Sequence, residues 1–182
     1  GNKVYPVGTC AGKLTSNIAS QLNLLPGTPV GTSIIDAHAA VAGSGVVFPG
    51  KMVLAMGTST CHMVVSEEEV FIEGVAGVVK DGIIPGFYGY ESGQSAVGDI
   101  FAWVTNYGLP EDYYNESNKL GISLHELLIK KCIGQKPGDH GLLALDWLNG
   151  NRSVLMNSGL NGLLMGLTLN TKPEDVYRAM IE

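Results

Sequence analysis

Charge and aromatic residues are both scarce in this chain. Asp, Glu, Lys and Arg make up 15% of it and Phe, Trp and Tyr 7%, against a hydrophobic fraction of 45%. So little charge with so much apolar content excludes a disordered chain, and also a coiled coil, whose exposed faces need charged side chains. Basic residues are the scarcer sign. Eleven Lys and Arg against 17 Asp and Glu leave a net charge of −6. No basic stripe is present to neutralise a phosphate backbone, so nucleic acid is not an expected partner. Cysteine is limited to Cys10, Cys61 and Cys132, an odd number set far apart. That spacing fits neither a disulfide framework nor a zinc site, and a reducing, cytoplasmic setting is the expectation. No apolar run approaches the roughly 18 residues that a membrane span needs, and no basic-then-apolar leader opens the chain, so no membrane association is expected.

Glycine is what the chain has in excess, 25 of its 182 residues. That share is about twice the average. The length suits one ordinary domain or two small ones. Tight turns and close backbone approaches should follow, and either can build a ligand cradle. A negatively charged ligand remains compatible with the acidic balance, because backbone N–H groups bind anions without formal positive charge.

The apolar pattern predicts a short helix over residues 15–22, the turn Pro26-Gly27-Thr28-Pro29, and a small strand over 30–35 that ends at Asp36. Helix material follows over 37–42, stopped by Gly43-Ser44-Gly45. A buried-type strand over 52–56, the turn Gly57-Thr58-Ser59-Thr60 and a second strand over 62–65 read as a hairpin, and 69–89 reads as a meander of short β runs. Residues 95–107 form the clearest helix, with Ala96, Val97, Ile100, Phe101 and Val104 on one face and Gly108 as its cap. A further helix is expected over 123–132. Thr171 with Glu174 reads as a capping box before a last helix whose apolar positions are Val176, Tyr177, Met180 and Ile181. Strands preceding long helices, with hairpins among them, indicate an α/β or α+β unit. The start at Gly1-Asn2-Lys3 and the last helix without a closing Gly, Asn or Pro make a piece of a longer protein the expectation.

Local chemistry leaves alternatives open. Asp36, at a strand–helix junction among small residues, fits a helix N-cap or a general base that takes a proton from a hydroxyl. Gly57-Thr58-Ser59-Thr60 fits a plain hairpin turn or a phosphate cradle of N–H and hydroxyl donors; it is not a Walker A loop, since the second glycine and the lysine are missing. Glu91 and Gln94 lie just before the clearest helix, where Glu91 either favours the helix terminus electrostatically or accepts hydrogen bonds from a polyol. Cys61 and His62, adjacent on a strand, point to opposite faces and make a poor nucleophile–base pair, which disfavours a cysteine hydrolase. His38, His125 and His140 show no ligand spacing, so no dedicated protein metal site is expected.

Three blocks taken together resemble the FGGY carbohydrate kinases: Val30-Gly31-Thr32-Ser33-Ile34-Ile35-Asp36-Ala37-His38-Ala39, Met56-Gly57-Thr58-Ser59-Thr60-Cys61-His62, and Gly89-Tyr90-Glu91-Ser92-Gly93-Gln94-Ser95-Ala96-Val97-Gly98-Asp99. The Ala-His-Ala after Asp36, the Thr-Cys after Gly57-Thr58-Ser59, and Asp146-Trp147-Leu148-Asn149-Gly150-Asn151-Arg152 are similar to the ribulokinase branch, and the resemblance runs over essentially the whole chain.

The resemblance implies an actin-like, ribonuclease-H-like α/β architecture of two domains closing over a cleft, with residues 1–46 ending the first, sugar-binding domain and 47–182 beginning the second, nucleotide-binding one. It implies transfer of the ATP γ-phosphate, with Mg2+ held mainly through the phosphates, to a sugar hydroxyl. L-ribulose would become L-ribulose 5-phosphate in L-arabinose breakdown. Asp36 would be the catalytic base and touch the substrate, Gly57, Thr58 and Ser59 would approach the ATP phosphates, and Glu91 would contact sugar hydroxyls. The family's opening Asp-Gly-Thr-type phosphate motif and its glycine-rich adenosine motif are not among these 182 residues, so the chain alone is expected to be inactive. Apolar surface where the absent parts dock would favour self-association. Two alternatives fit the same blocks: another FGGY kinase, for xylulose or a polyol, and a non-catalytic actin-like nucleotide-binding scaffold.

Overall fold

A computed structural model describes residues 5–182. The chain divides into two compact units, Gly1–Gly45 and Val46–Glu182.

The first unit is a two-stranded antiparallel ribbon with two short helices. Strand β1 (Cys10–Lys13) pairs with β2 (Pro29–Gly31), and α1 (Ser16–Gln21) lies between them in sequence. Thr15 caps α1 by accepting the Ile18 N–H through its hydroxyl oxygen. The strand expected over 30–35 is shorter than its apolar run, because β1 offers it so few partners. Past it the Thr32 N–H still donates to the Thr9 carbonyl at 2.8 Å, and residues 33–35 lead into α2 (Asp36–Gly43). Small residues dominate α2, so it has little apolar face of its own, and Val41 is its one buried side chain.

The second unit carries a four-stranded sheet in the order β3-β4-β6-β5, formed by β3 (Met52–Met56), β4 (Thr60–Ser66), β5 (Gly77–Lys80) and β6 (Tyr88–Gln94). Every ladder is antiparallel. The expected hairpin is β3–β4. Of the expected meander over 69–89, only β5 and the start of β6 form strands. The Tyr90 hydroxyl instead holds residues 68–70 off the ladder, donating to the Glu68 carbonyl at 2.9 Å and accepting the Val70 N–H at 2.6 Å. Met63 and Val65 fill the buried face of β4.

Helix α3 (Gly98–Tyr107) follows the sheet, then α4 (Glu111–Leu120), α5 (Leu124–Cys132), the small ribbon β7 (Leu143–Leu145) with β8 (Leu163–Met165), and α6 (Pro173–Ile181). Val104, Leu128 and Tyr177, from α3, α5 and α6, form one buried cluster, with Phe101, Leu109 and Tyr113 packed against it. Ser123 caps α5 by accepting the Glu126 N–H at 3.1 Å. The start of α6 departs from the expected Thr171–Glu174 box. The Asp175 carboxylate accepts the Lys172 N–H at 2.8 Å, while the Thr171 hydroxyl turns back to accept the Thr168 N–H at 2.9 Å. Glu174 is buried and accepts a 2.6 Å hydrogen bond from the Tyr113 hydroxyl. Among the described residues, no helix is long and apolar enough to cross a membrane.

Candidate functional site

Asp36 is the first helical residue of α2, one position past the N-cap Ile35, so the N-cap alternative is set aside. Its Oδ1 accepts the Ala37 N–H at 2.8 Å, and the residue is exposed. A carboxylate at the first turn lies at the positive end of the helix dipole. Its small neighbours Ala37, Ala39 and Ala40 leave room beside it.

Gly57, Thr58 and Ser59 form the β3–β4 turn, closed by a 2.8 Å hydrogen bond from the Gly57 N–H to the Ser59 carbonyl. A second pair of bonds ties this turn to the entry of α3. The Val97 N–H donates to the Thr58 carbonyl at 2.8 Å and the Gly98 N–H to the Gly57 carbonyl at 3.0 Å. Glycine is required at 98, because a Cβ there would stand 2.6 Å from the Gly57 oxygen. The turn is therefore braced by backbone, while Gly57 and Thr58 remain exposed. No hydrogen bond within the described residues occupies the Thr58 or Ser59 hydroxyl, so both are available to an anion.

Glu91 does not sit at a helix terminus. It is in the body of β6, opposite Met63 on β4 and Gly77 on β5. Its carboxylate pairs with the Arg152 guanidinium, both side chains being part-exposed. The Cys61 thiol completes the group, with its Sγ 3.5 Å from Arg152 Nη1 and 3.9 Å from Glu91 Oε1. Burial works to lower the Arg152 pKa. The bond to the Cys61 sulfur, its charge and the Glu91 carboxylate outweigh it, and the guanidinium is held above its ordinary value.

Two further bonds fasten the 146–153 segment to the end of β6. Ser153 Oγ accepts the Gly93 N–H at 3.1 Å, and the Asp146 carboxylate accepts from Gln94 Nε2 at 3.3 Å. Local pattern carries no signal that marks Arg152, Ser153 or Asp146 as site residues. The block from Asp146 to Arg152 was visible in the sequence only as a run similar to the kinase family, with no partner attached to any of its side chains. Next to this segment, Thr60 Oγ1 and Gln94 Oε1 are buried without a partner among the described residues. Thr60 and Gln94 are opposed on the β4–β6 ladder. Orphaned oxygens of this kind are uncommon in folded proteins.

The Cys61–His62 pair separates as its strand position requires. Cys61 turns toward Arg152, and His62 lines an apolar cavity of about 400 Å³ on the other face with Met52, Val64, Val70 and Tyr90. Two further histidines have structural partners: His125 with the Tyr177 hydroxyl at 3.0 Å, and His140 with the Glu182 carboxylate at 3.2 Å. No group of three or more His, Cys, Asp and Glu among the described residues is arranged to hold a metal ion.

An antiparallel sheet feeding helices, a braced donor-bearing turn and a carboxylate held by arginine define a fold with solved counterparts. A xylulose kinase from Rhodospirillum rubrum superposes with a TM-score of 0.73 at 22% identity, over 98% of this chain and 34% of that one. A gluconate kinase from Lactobacillus acidophilus superposes with a TM-score of 0.75 at 16% identity, over 98% and 34%. The fold is thus the actin-like one of the sugar kinases. The model of the C-terminal domain of the FGGY family of carbohydrate kinases matches residues 52–182. The chain belongs to the FGGY family of carbohydrate kinases. A ribulokinase from Geobacillus thermodenitrificans is 58% identical over 179 residues, 98% of this chain and 32% of that protein, so the chain spans about a third of the length of the relatives it matches.

Proposed function

We propose that this chain is part of a cytoplasmic, ATP-dependent kinase that converts L-ribulose to L-ribulose 5-phosphate in the breakdown of L-arabinose. The observation that carries this is the 58% identity to a ribulokinase over 98% of the chain. The first unit contributes the end of the sugar-binding domain and the second unit the start of the nucleotide-binding domain; the family match over 52–182 supports the second assignment.

In this reading Asp36 accepts the proton of the sugar hydroxyl as its oxygen bonds to the γ-phosphorus, and the phosphoanhydride bond breaks to release ADP. Phosphoryl transfer asks a protein for positioning and charge stabilisation more than for covalent chemistry. The available Thr58 and Ser59 hydroxyls, on a turn that the α3 entry keeps in place, supply donors for the ATP phosphates. Magnesium bound through those phosphates would screen their charge. Glu91 accepts hydrogen bonds from sugar hydroxyls.

The test uses the full-length protein in a coupled ADP assay with L-ribulose, D-xylulose and glycerol. L-ribulose should give the highest kcat/KM. Asp36→Asn should lower kcat by about 10²–10⁴, the usual contribution of a general base, while calorimetry shows L-ribulose still bound. The 182-residue chain alone should release no ADP. An Asp36→Asn enzyme with most of its kcat would remove Asp36 from the mechanism, and a preference for D-xylulose or glycerol would move the enzyme to another branch of the family.

A further inference from the structure

Glu91 poses a problem of orientation for any site that uses it: a glutamate on a strand has several rotamers, and a carboxylate that reads sugar hydroxyls must hold one. The structure supplies a holder from far along the chain. Arg152 reaches one Glu91 oxygen from 61 residues away in sequence, and its other amino group meets Cys61 Sγ, so the guanidinium is itself held between two strands' side chains. The backbone that presents Arg152 is equally well fixed. Asn151 is buried and exchanges backbone hydrogen bonds with Asn157 at 3.0 and 2.8 Å, and its side-chain oxygen accepts the Leu155 N–H at 2.8 Å. Gly150, at φ +74°, packs so closely on Ser158 that a Cβ would stand 2.6 Å from its Cα. On either side of Arg152, Asp146 grips Gln94 and Ser153 grips Gly93. Three of the last four positions of β6, Glu91, Gly93 and Gln94, are thus gripped by one short segment.

We propose that Arg152 is the positioning residue of the sugar site: it fixes the Glu91 carboxylate in the orientation that accepts hydrogen bonds from the hydroxyls of the ketose, with Cys61 and the 146–157 segment holding Arg152 in turn. This rests on the proposed role of Glu91 in sugar binding. Because a planar guanidinium binds a carboxylate directionally, it sets where the oxygens point as well as their charge, and lysine reproduces only the charge. The consequence is selectivity in KM for the sugar, with no direct part in the transfer of phosphate.

The experiment measures KM for L-ribulose and for ATP separately in the full-length enzyme and in Glu91→Gln, Arg152→Gln, Arg152→Lys and the double variant Glu91→Gln/Arg152→Gln. Arg152→Gln should raise the L-ribulose KM on the order of tenfold, the effect of one misplaced charge-assisted hydrogen bond, while the ATP KM stays within about twofold. Arg152→Lys should recover part of the loss. The double variant should be no worse than Glu91→Gln alone, since the arginine acts only through that carboxylate. An unchanged L-ribulose KM in Arg152→Gln, equal changes in both KM values, or additive losses in the double variant would each overturn the proposal. If Arg152→Gln does not fold, Arg152→Lys decides the matter: a raised sugar KM with unchanged ATP KM supports the role, and two unchanged values refute it. Glu91→Gln with an unchanged L-ribulose KM would instead show that the sugar contact itself is misassigned.

Discussion

At the scale of single residues, Gly98 is where the entry of α3 packs on the backbone of the β3–β4 turn, the turn proposed to meet the ATP phosphates. An added Cβ would contact the Gly57 oxygen at 2.6 Å and its carbonyl carbon at 3.2 Å, and both are backbone atoms that cannot rotate aside. Alanine is ordinarily the better helix residue by up to about 1 kcal/mol, but overlap with backbone forces the turn to move at a cost of about 1–3 kcal/mol. Gly98→Ala in the full-length enzyme should therefore lower the melting temperature and raise the ATP KM several-fold, with the L-ribulose KM nearly constant. Gly134→Ala, where a Cβ meets nothing within 4 Å, is the control and should leave both constants alone. An unaltered ATP KM in a destabilised Gly98→Ala enzyme would separate the turn from the nucleotide. Glu91 shows how far residue-level reading reached. Its polar surroundings before a helix were visible in the sequence, and its family resemblance pointed to sugar hydroxyls. Its strand position and its arginine were not visible, because a contact spanning 61 residues leaves no local periodicity.

At the scale of elements, the segments read most accurately were those whose burial follows a simple period. The 52–66 hairpin alternates faces and turns at a glycine, and α3 and α5 carry apolar stripes and Gly or Ser at their ends. Helix α4 has no such stripe. Its sequence is largely polar, its one buried side chain is Ser117, and hydroxyl groups fasten it: Tyr114 donates to the Thr105 carbonyl at 2.7 Å and Tyr113 to Glu174 at 2.6 Å. A search for aliphatic periodicity passes over an element held this way. The Tyr113 bond also carries a pH signature. Burial first, then the bond and charge of Glu174, push the phenol above its ordinary value of 10.0. Below that value both folded and unfolded chains keep the proton, and the stabilisation is fully present. As pH rises past it, the unfolded chain deprotonates first, so stability is lost until the folded phenol titrates too. Tyr113→Phe should lower stability at neutral pH by about 1–3 kcal/mol, as expected for a hydrogen bond to a charged group, and should lose stability less steeply above pH 10. Urea midpoints measured from neutral to alkaline pH would check this, and curves of equal alkaline slope would show that the phenol is not so coupled.

At the scale of the molecule, the surface is too large for a self-sufficient chain. A compact protein of 19.2 kDa exposes about 8,400 Å², and two separate globules with the lengths of the two units would expose about 9,900 Å². This chain exposes 11927 Å². Large apolar side chains stand on that surface: Phe71 is 90% exposed, Ile133 78%, Met56 72% and Phe48 70%. Scattered exposed apolar residues are ordinary, but Met52, Leu54 and Met56 stand exposed together on β3, an edge strand of its sheet. Exposed, hydrophobic edge strands recruit partners. Relatives about three times as long have chain available to cover such a surface. The 182-residue chain on its own should therefore bind an apolar dye strongly and elute at sizes that grow with concentration, whereas the full-length enzyme should bind little dye per mole. Leu54→Lys, which places a charge on the exposed edge of β3, should reduce that association. A dye-silent chain that elutes as a monomer at every concentration would mean that these residues fold against one another well enough to need no further partner.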